Sequence, residues 1–157
     1  MKRREFFTSL IKPLQKEEPR LLYPPYYEEK TDFEKCRECE SKPCVKACEE
    51  EIIVIVDERP SLDFSKSGCT FCDECAKVCE SDVLKVEAKR KLPPLAIDPV
   101  SCLAWHGTIC SSCRDACLDN AIKFYGLFKP EITENCTGCG FCVAVCPSSA
   151  LTMGGEL

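Results

Sequence analysis

The chain has one histidine and one tryptophan among its 157 residues. With a single imidazole, general acid–base catalysis has few candidates, and the chain is not expected to be an enzyme by itself. No G-x-G-x-x-G follows a strand-like run and no G-x4-G-K-S/T occurs, so neither of the usual phosphate cradles is expected. No apolar run is long enough to cross a membrane as a helix. The N-terminal stretch MKRREFFTSLIKPLQKEEPR is basic, but its apolar run from Phe6 to Ile11 stops at Lys12-Pro13, too short for a secretory signal. Arg3-Arg4 followed by Phe6-Phe7 has the beginnings of a twin-arginine signal without the hydrophobic stretch such a signal needs. These absences lead to the expectation of a cytoplasmic chain, where thiols stay reduced. The net charge of −5 weighs against nucleic acid as a partner and favours basic surfaces.

Cysteine, by contrast, is abundant. The sixteen cysteines fall into four quartets: Cys36/Cys39/Cys44/Cys48, Cys69/Cys72/Cys75/Cys79, Cys102/Cys110/Cys113/Cys117 and Cys136/Cys139/Cys142/Cys146. Successive quartets start 33 or 34 residues apart, at positions 36, 69, 102 and 136, which is an internal repeat. The second quartet reads C-x2-C-x2-C-x3-C, and the fourth repeats that spacing and ends Cys146-Pro147. This is the bacterial ferredoxin signature for a [4Fe–4S] cluster. A disulfide framework would need an oxidising compartment. Zinc sites usually pair two C-x2-4-C knuckles across a longer loop, whereas here three thiols crowd into seven residues. Redox or nucleophilic thiols do not explain four regular quartets. The expectation is four [4Fe–4S] clusters held by all sixteen cysteines, with no catalytic residue and no other cofactor site. Each oxidised cluster with its thiolates adds about −2 to the charge, which any electrostatic argument must include.

Along the chain, residues 1–30 carry no cysteine and form a basic and aromatic leader. Phe7, Leu10, Ile11 and Leu14 share one helical face, and Pro13 limits that helix to two or three turns. Such a helix can lie on an anionic membrane, dock into a groove or simply cover part of the core. Leu21 to Tyr27 (LLYPPYY) is expected to be extended at its prolines and to pack back on its own domain. From Thr31 the repeat takes over. Short segments precede each quartet: Thr31-Asp32-Phe33, Leu62-Asp63-Phe64, Ala96-Ile97-Asp98 and Glu131-Ile132. Strand-like runs follow each one: Ile52–Val56, Val83–Val86, Ile122–Tyr125 and Leu151–Met153. The predicted unit is strand, cysteine loop, helical turn, strand, an α+β arrangement. Two units make a two-cluster ferredoxin module, giving tandem modules over residues 31–91 and 92–157.

In a two-cluster module the fourth cysteine of each motif serves the other cluster. If quartet one pairs with two and three with four, the sets are Cys36/Cys39/Cys44/Cys79, Cys69/Cys72/Cys75/Cys48, Cys102/Cys110/Cys113/Cys146 and Cys136/Cys139/Cys142/Cys117. Two quartets are irregular. The first is C-x2-C-x4-C-x3-C, and the third, C-x7-C-x2-C-x3-C, carries Trp105 and His106 in its long first gap. Four cysteines already complete that site, so His106 is expected on the surface or in packing, and Trp105 is expected to shield a cluster rather than grip a partner. Only Cys146 among the fourth cysteines is followed by proline.

The whole pattern resembles a known family, the small cytoplasmic ferredoxin-type proteins encoded with periplasmic nitrate reductase. The residues that carry the resemblance are the Arg3-Arg4 leader, the Pro24-Pro25 aromatic stretch and four quartets in this order. The third motif, C-L-A-W-H-G-T-I-C-S-S-C-R-D-A-C, followed by C-T-G-C-G-F-C-V-A-V-C-P, is the most specific. The extra residues before Cys44 depart from the usual form. The resemblance implies a role in cytoplasmic maturation of the molybdenum-containing catalytic subunit before its twin-arginine export, by supplying electrons or helping to install its cluster. The alternative is an electron-transfer polyferredoxin relaying electrons from a membrane quinol-oxidising complex. The partners implied are the catalytic-subunit precursor or that membrane complex.

Overall fold

The computed structural model describes residues 21–154. The amphipathic stripe Phe7/Leu10/Ile11/Leu14 lies outside the described residues. Each half of the described chain is built around a β-hairpin set between two cysteine loops. In the first half, β1 (Ile53–Val56) pairs antiparallel with β2 (Arg59–Leu62), Ile53 facing Leu62 and Val56 facing Arg59. The two-residue turn is Asp57-Glu58, at φ 51° and 62°, the left-handed pair that matches the twist of a two-stranded ribbon. In the second half, β4 (Ile122–Tyr125) pairs with β5 (Phe128–Ile132), with a bulge between Phe124 and Tyr125. Pro60 and Pro130 sit inside these strands, tolerated because a two-stranded ribbon leaves each strand one free edge. Short helices flank the hairpins: α1 (Pro43–Ala47), α2 (Glu74–Lys77), α3 (Ser112–Asp115) and α4 (Phe141–Ala144). Each carries the third cysteine of its quartet.

The second half is closed by a further pair, β3 (Leu95–Ile97) against β6 (Leu151–Met153), with Leu95 facing Met153 and Ile97 facing Leu151. The first half lacks that closing sheet. Thr31-Asp32-Phe33, expected to be extended, lies in a 3-10 helix spanning Lys30–Glu38. Val83–Val86, expected as a strand, forms bends that lead into a 3-10 turn at Val86–Ala88. The aromatic stretch takes over the closing role. The Lys85 amide donates to the Tyr26 carbonyl at 2.7 Å and the Arg90 amide to the Pro25 carbonyl at 2.9 Å. Tyr26 and Phe33 are buried, as are both prolines. Tyr23 stacks on Phe33 at 3.8 Å between centroids, and Tyr27 meets Phe33 edge-on at 5.1 Å. Val83 and Leu84 are buried in this core, so they face inward without any ladder partner.

The described chain has the small ferredoxin-like α+β fold, with very short elements. No helix among the described residues is long and apolar enough to cross a membrane.

Candidate iron–sulfur sites

The sixteen thiols line four cavities, four to each. The first is lined by Cys36, Cys39, Cys44 and Cys79, with Pro43, Pro60 and Leu84. The second brings Cys48 to Cys69, Cys72 and Cys75, beside Pro24, Tyr26, Ile52 and Leu62. The third holds Cys102, Cys110, Cys113 and Cys146, with Ile97, Pro130 and Leu151. The fourth holds Cys117, Cys136, Cys139 and Cys142, with Leu95, Ile122 and Ile132. In each half the fourth cysteine of one quartet therefore faces the cavity of the other. The short helices explain the crossing. A four- or five-residue helix turns the chain away from its own loop, and α1 packs on α2 as α3 packs on α4.

The loops share a backbone device that composition does not reveal. Three residues after each fourth cysteine stands a residue in the left-handed region: Glu51 (φ 54°), Asp82 (φ 52°), Asn120 (φ 49°) and Ser149 (φ 52°). None is glycine, although that conformation costs an ordinary residue about 1–2 kcal/mol. At Asp82, Asn120 and Ser149 the turn aims a later amide back at sulfur. The Leu84 amide lies 3.4 Å from Cys79 Sγ, and the amides of Ala121 and Ala150 lie 3.3 Å from Cys117 Sγ and Cys146 Sγ. Hydrogen bonds to sulfur stabilise a thiolate ligand and tune the potential of a cluster. Inside the second and fourth loops, positive φ recurs at matching positions: Phe71 and Asp73 in one, Gly138 and Gly140 in the other. The Asp73 amide is held by the Tyr26 hydroxyl at 3.0 Å, which supports a strained turn that lacks glycine.

Burial, with crowding by neighbouring thiols, pushes Cys36 and Cys69 up to about 11 and Cys75 and Cys142 up to about 12. Burial also pushes Cys113 up to about 11. Such thiols hold their protons against water but yield them to a cationic centre, which turns the same low-dielectric pocket in favour of the thiolate. The donor set fits an iron–sulfur cluster: four soft sulfurs, an apolar lining and amide donors on the sulfurs. Among the described residues no three His, Cys, Asp or Glu side chains converge as a single metal ion would require. Sulfurs spread around a cavity fit a polynuclear group better than one tetrahedral zinc.

His106 lines none of these cavities; its Nε2 donates to the Val100 carbonyl at 2.7 Å. Trp105, expected to shield a cluster, does not line the third cavity either; Leu103 and Ala104 do. The indole packs against β5, with Lys129 over its ring at 6.0 Å.

Residues 130–152 match the family model of the 4Fe-4S binding domain. The chain is 32% identical over 138 residues to the ferredoxin-type protein NapF of Escherichia coli (strain K12), covering 83% of each chain. It is 31% identical over 123 residues to NapF of Haemophilus influenzae, covering 54% of this chain and 69% of that protein. It is also 27% identical over 130 residues to the ferredoxin-type protein NapG of Escherichia coli (strain K12), covering 66% of this chain and 56% of that protein. With sulfur-lined cavities of this kind and a relative 32% identical over 83% of each chain, the chain belongs to the NapF family of ferredoxin-type iron–sulfur proteins.

Proposed function

We propose that the sixteen cysteines ligate four [4Fe–4S] clusters, two in a module over residues 31–91 and two in a module over 92–157. We further propose that the chain works in the cytoplasm on the precursor of the periplasmic nitrate reductase catalytic subunit. The observation that carries the first part is the division of sixteen thiols among four cavities, four to each. Bound there, the clusters supply one-electron chemistry. The chain's own residues hold them through sulfur, and Tyr26, Ile52 and Leu62 at the second cavity and Leu95 and Ile122 at the fourth keep water away. The amides of Leu84, Ala121 and Ala150 steady the sulfur charge. In this reading the protein is an electron or cluster donor and not a catalyst.

What supports the second part is membership of the NapF family. Maturation predicts a specific complex with the unexported catalytic subunit. The test is anaerobic binding of the iron-loaded protein to that subunit, with and without its signal peptide and cofactors. Tight binding to the immature form alone supports maturation. Equal binding to both forms, or none, overturns it and shifts the function to relay from a membrane quinol-oxidising complex, with rapid reduction by that complex as the next measurement.

A further inference from the structure

The two halves meet where two cysteine loops touch. The Cys69 amide donates to the Cys139 carbonyl at 2.6 Å. Cys69 lines the second cavity and Cys139 the fourth. Around this contact the backbones pack without slack. A Cβ added to Gly68 would lie 2.6 Å from both the Phe141 ring and the Phe141 amide nitrogen. A Cβ on Gly140 would fall inside contact of the Phe64 ring, and one on Gly138 would lie 2.6 Å from the Pro93 carbonyl. The Leu92 amide, donating to the Thr137 carbonyl at 3.0 Å, fastens the connecting segment to the same loop.

Within each half, neighbouring cavities are linked through paired helices. Cys44 on α1 and Cys75 on α2 lie at one such pair, Cys113 on α3 and Cys142 on α4 at the other.

We propose that the Cys69–Cys139 contact is the electronic junction between the two halves, so that the four sulfur sets run in the order first, second, fourth, third. The first and third sets are then the outer ends, where electrons enter and leave. The inference rests on the reading that each set holds a cluster. One electron lost on one side of the contact is gained on the other. No bond forms or breaks, and the amide and carbonyl that meet there exchange no proton.

The order is testable by electron paramagnetic resonance on the full-length, anaerobically loaded chain reduced with dithionite. Neighbouring reduced clusters couple magnetically, whereas an isolated one shows a simple uncoupled signal. Cys72→Ala, which breaks the second set, is expected to leave the first isolated, giving one uncoupled signal beside a coupled pair. Cys136→Ala, which breaks the fourth, is expected to isolate the third in the same way. Cys39→Ala and Cys110→Ala remove an end and are expected to leave no uncoupled signal. An uncoupled signal in either end variant, or none in the two inner variants, overturns the order.

Where a cysteine variant loses more than one cluster, Gly68→Ala, which keeps every thiol, decides. Full iron content with weakened coupling between the halves supports the junction, and full iron content with unchanged coupling overturns it. Iron and sulfide analysis of the unaltered chain separates the two levels. Fewer than four clusters removes the underlying reading and the junction with it, whereas four clusters with the wrong pattern of isolation removes the junction alone.

Discussion

Cys79 belongs by sequence to the second quartet, yet it lines the cavity of Cys36, Cys39 and Cys44. Its sulfur receives the Leu84 amide at 3.4 Å. Replacing Cys79 with alanine should therefore damage the cluster of the first set and spare that of Cys69, Cys72 and Cys75. Resonance spectra of the variant check this, and loss of the second signal instead would contradict the crossing. His106 gives the converse prediction. It is exposed and bonded only to a backbone carbonyl, so His106→Ala should leave iron content unchanged in a colorimetric assay. At this scale the thiols were legible from spacing alone, because a soft ligand set has to be spelled out in cysteine. The left-handed turns at Glu51, Asp82, Asn120 and Ser149 were not legible. Glycine usually marks such turns; at Asp82, Asn120 and Ser149 residues with side chains adopt them where a following amide reaches the sulfur of the fourth cysteine and helps to over-determine the backbone.

Among the elements, the hairpins and the closing segments behave differently. Ile52–Val56 was expected as a strand-like run and contains β1, whereas its pairing with β2 across the Asp57-Glu58 turn was not among the expectations. Val83–Val86 carries Lys85 where β1 is wholly apolar; it bends inward and bonds the aromatic stretch through the Lys85 amide alone, at the Tyr26 carbonyl. In its half the closing role falls to the aromatic stretch packed around Phe33, which is 0% exposed. Phe33→Ala should cost about 3–5 kcal/mol, the usual range for emptying a buried aromatic site. The loss should appear as a lower midpoint in thermal unfolding of the loaded protein, and a shift no larger than that of an exposed-site control such as Leu118→Ala would contradict the packing.

The glycines offer a matched pair. Gly126 and Gly140 both have positive φ, but a Cβ at Gly126 meets open space while one at Gly140 meets the Phe64 ring. Gly126→Ala should cost about 1–2 kcal/mol for backbone strain. Gly140→Ala adds about 1–3 kcal/mol of overpacking, so its midpoint should fall further, and equal midpoints would count against the close approach.

For the whole molecule, stability is inseparable from the metal sites. Among the described residues no strand exceeds five residues and no α-helix exceeds five, and elements this short bury too little apolar surface to offset chain entropy. The cavities sit between the elements, so what fills them completes the core. Removing iron with a chelator under anaerobic conditions should abolish cooperative unfolding and most of the far-ultraviolet dichroism. Retention of a sharp transition without iron would show that the polypeptide core suffices.

What the sequence determined by itself is the inventory: sixteen thiols, their grouping in four quartets, the repeat, and the α+β character of each unit. These are local, because ligand type and spacing are written along the chain and a hairpin needs only its own two strands. The tertiary structure decided what lies between distant residues. The crossing of the fourth cysteines was already the expectation from the ferredoxin spacing, whereas the tertiary structure gave the first half an aromatic closure where the second has a sheet and set Cys69 against Cys139. No local pattern specifies these pairings. They follow from which buried surfaces fit once the short helices have turned the chain, and from glycines whose missing side chains let two loops approach.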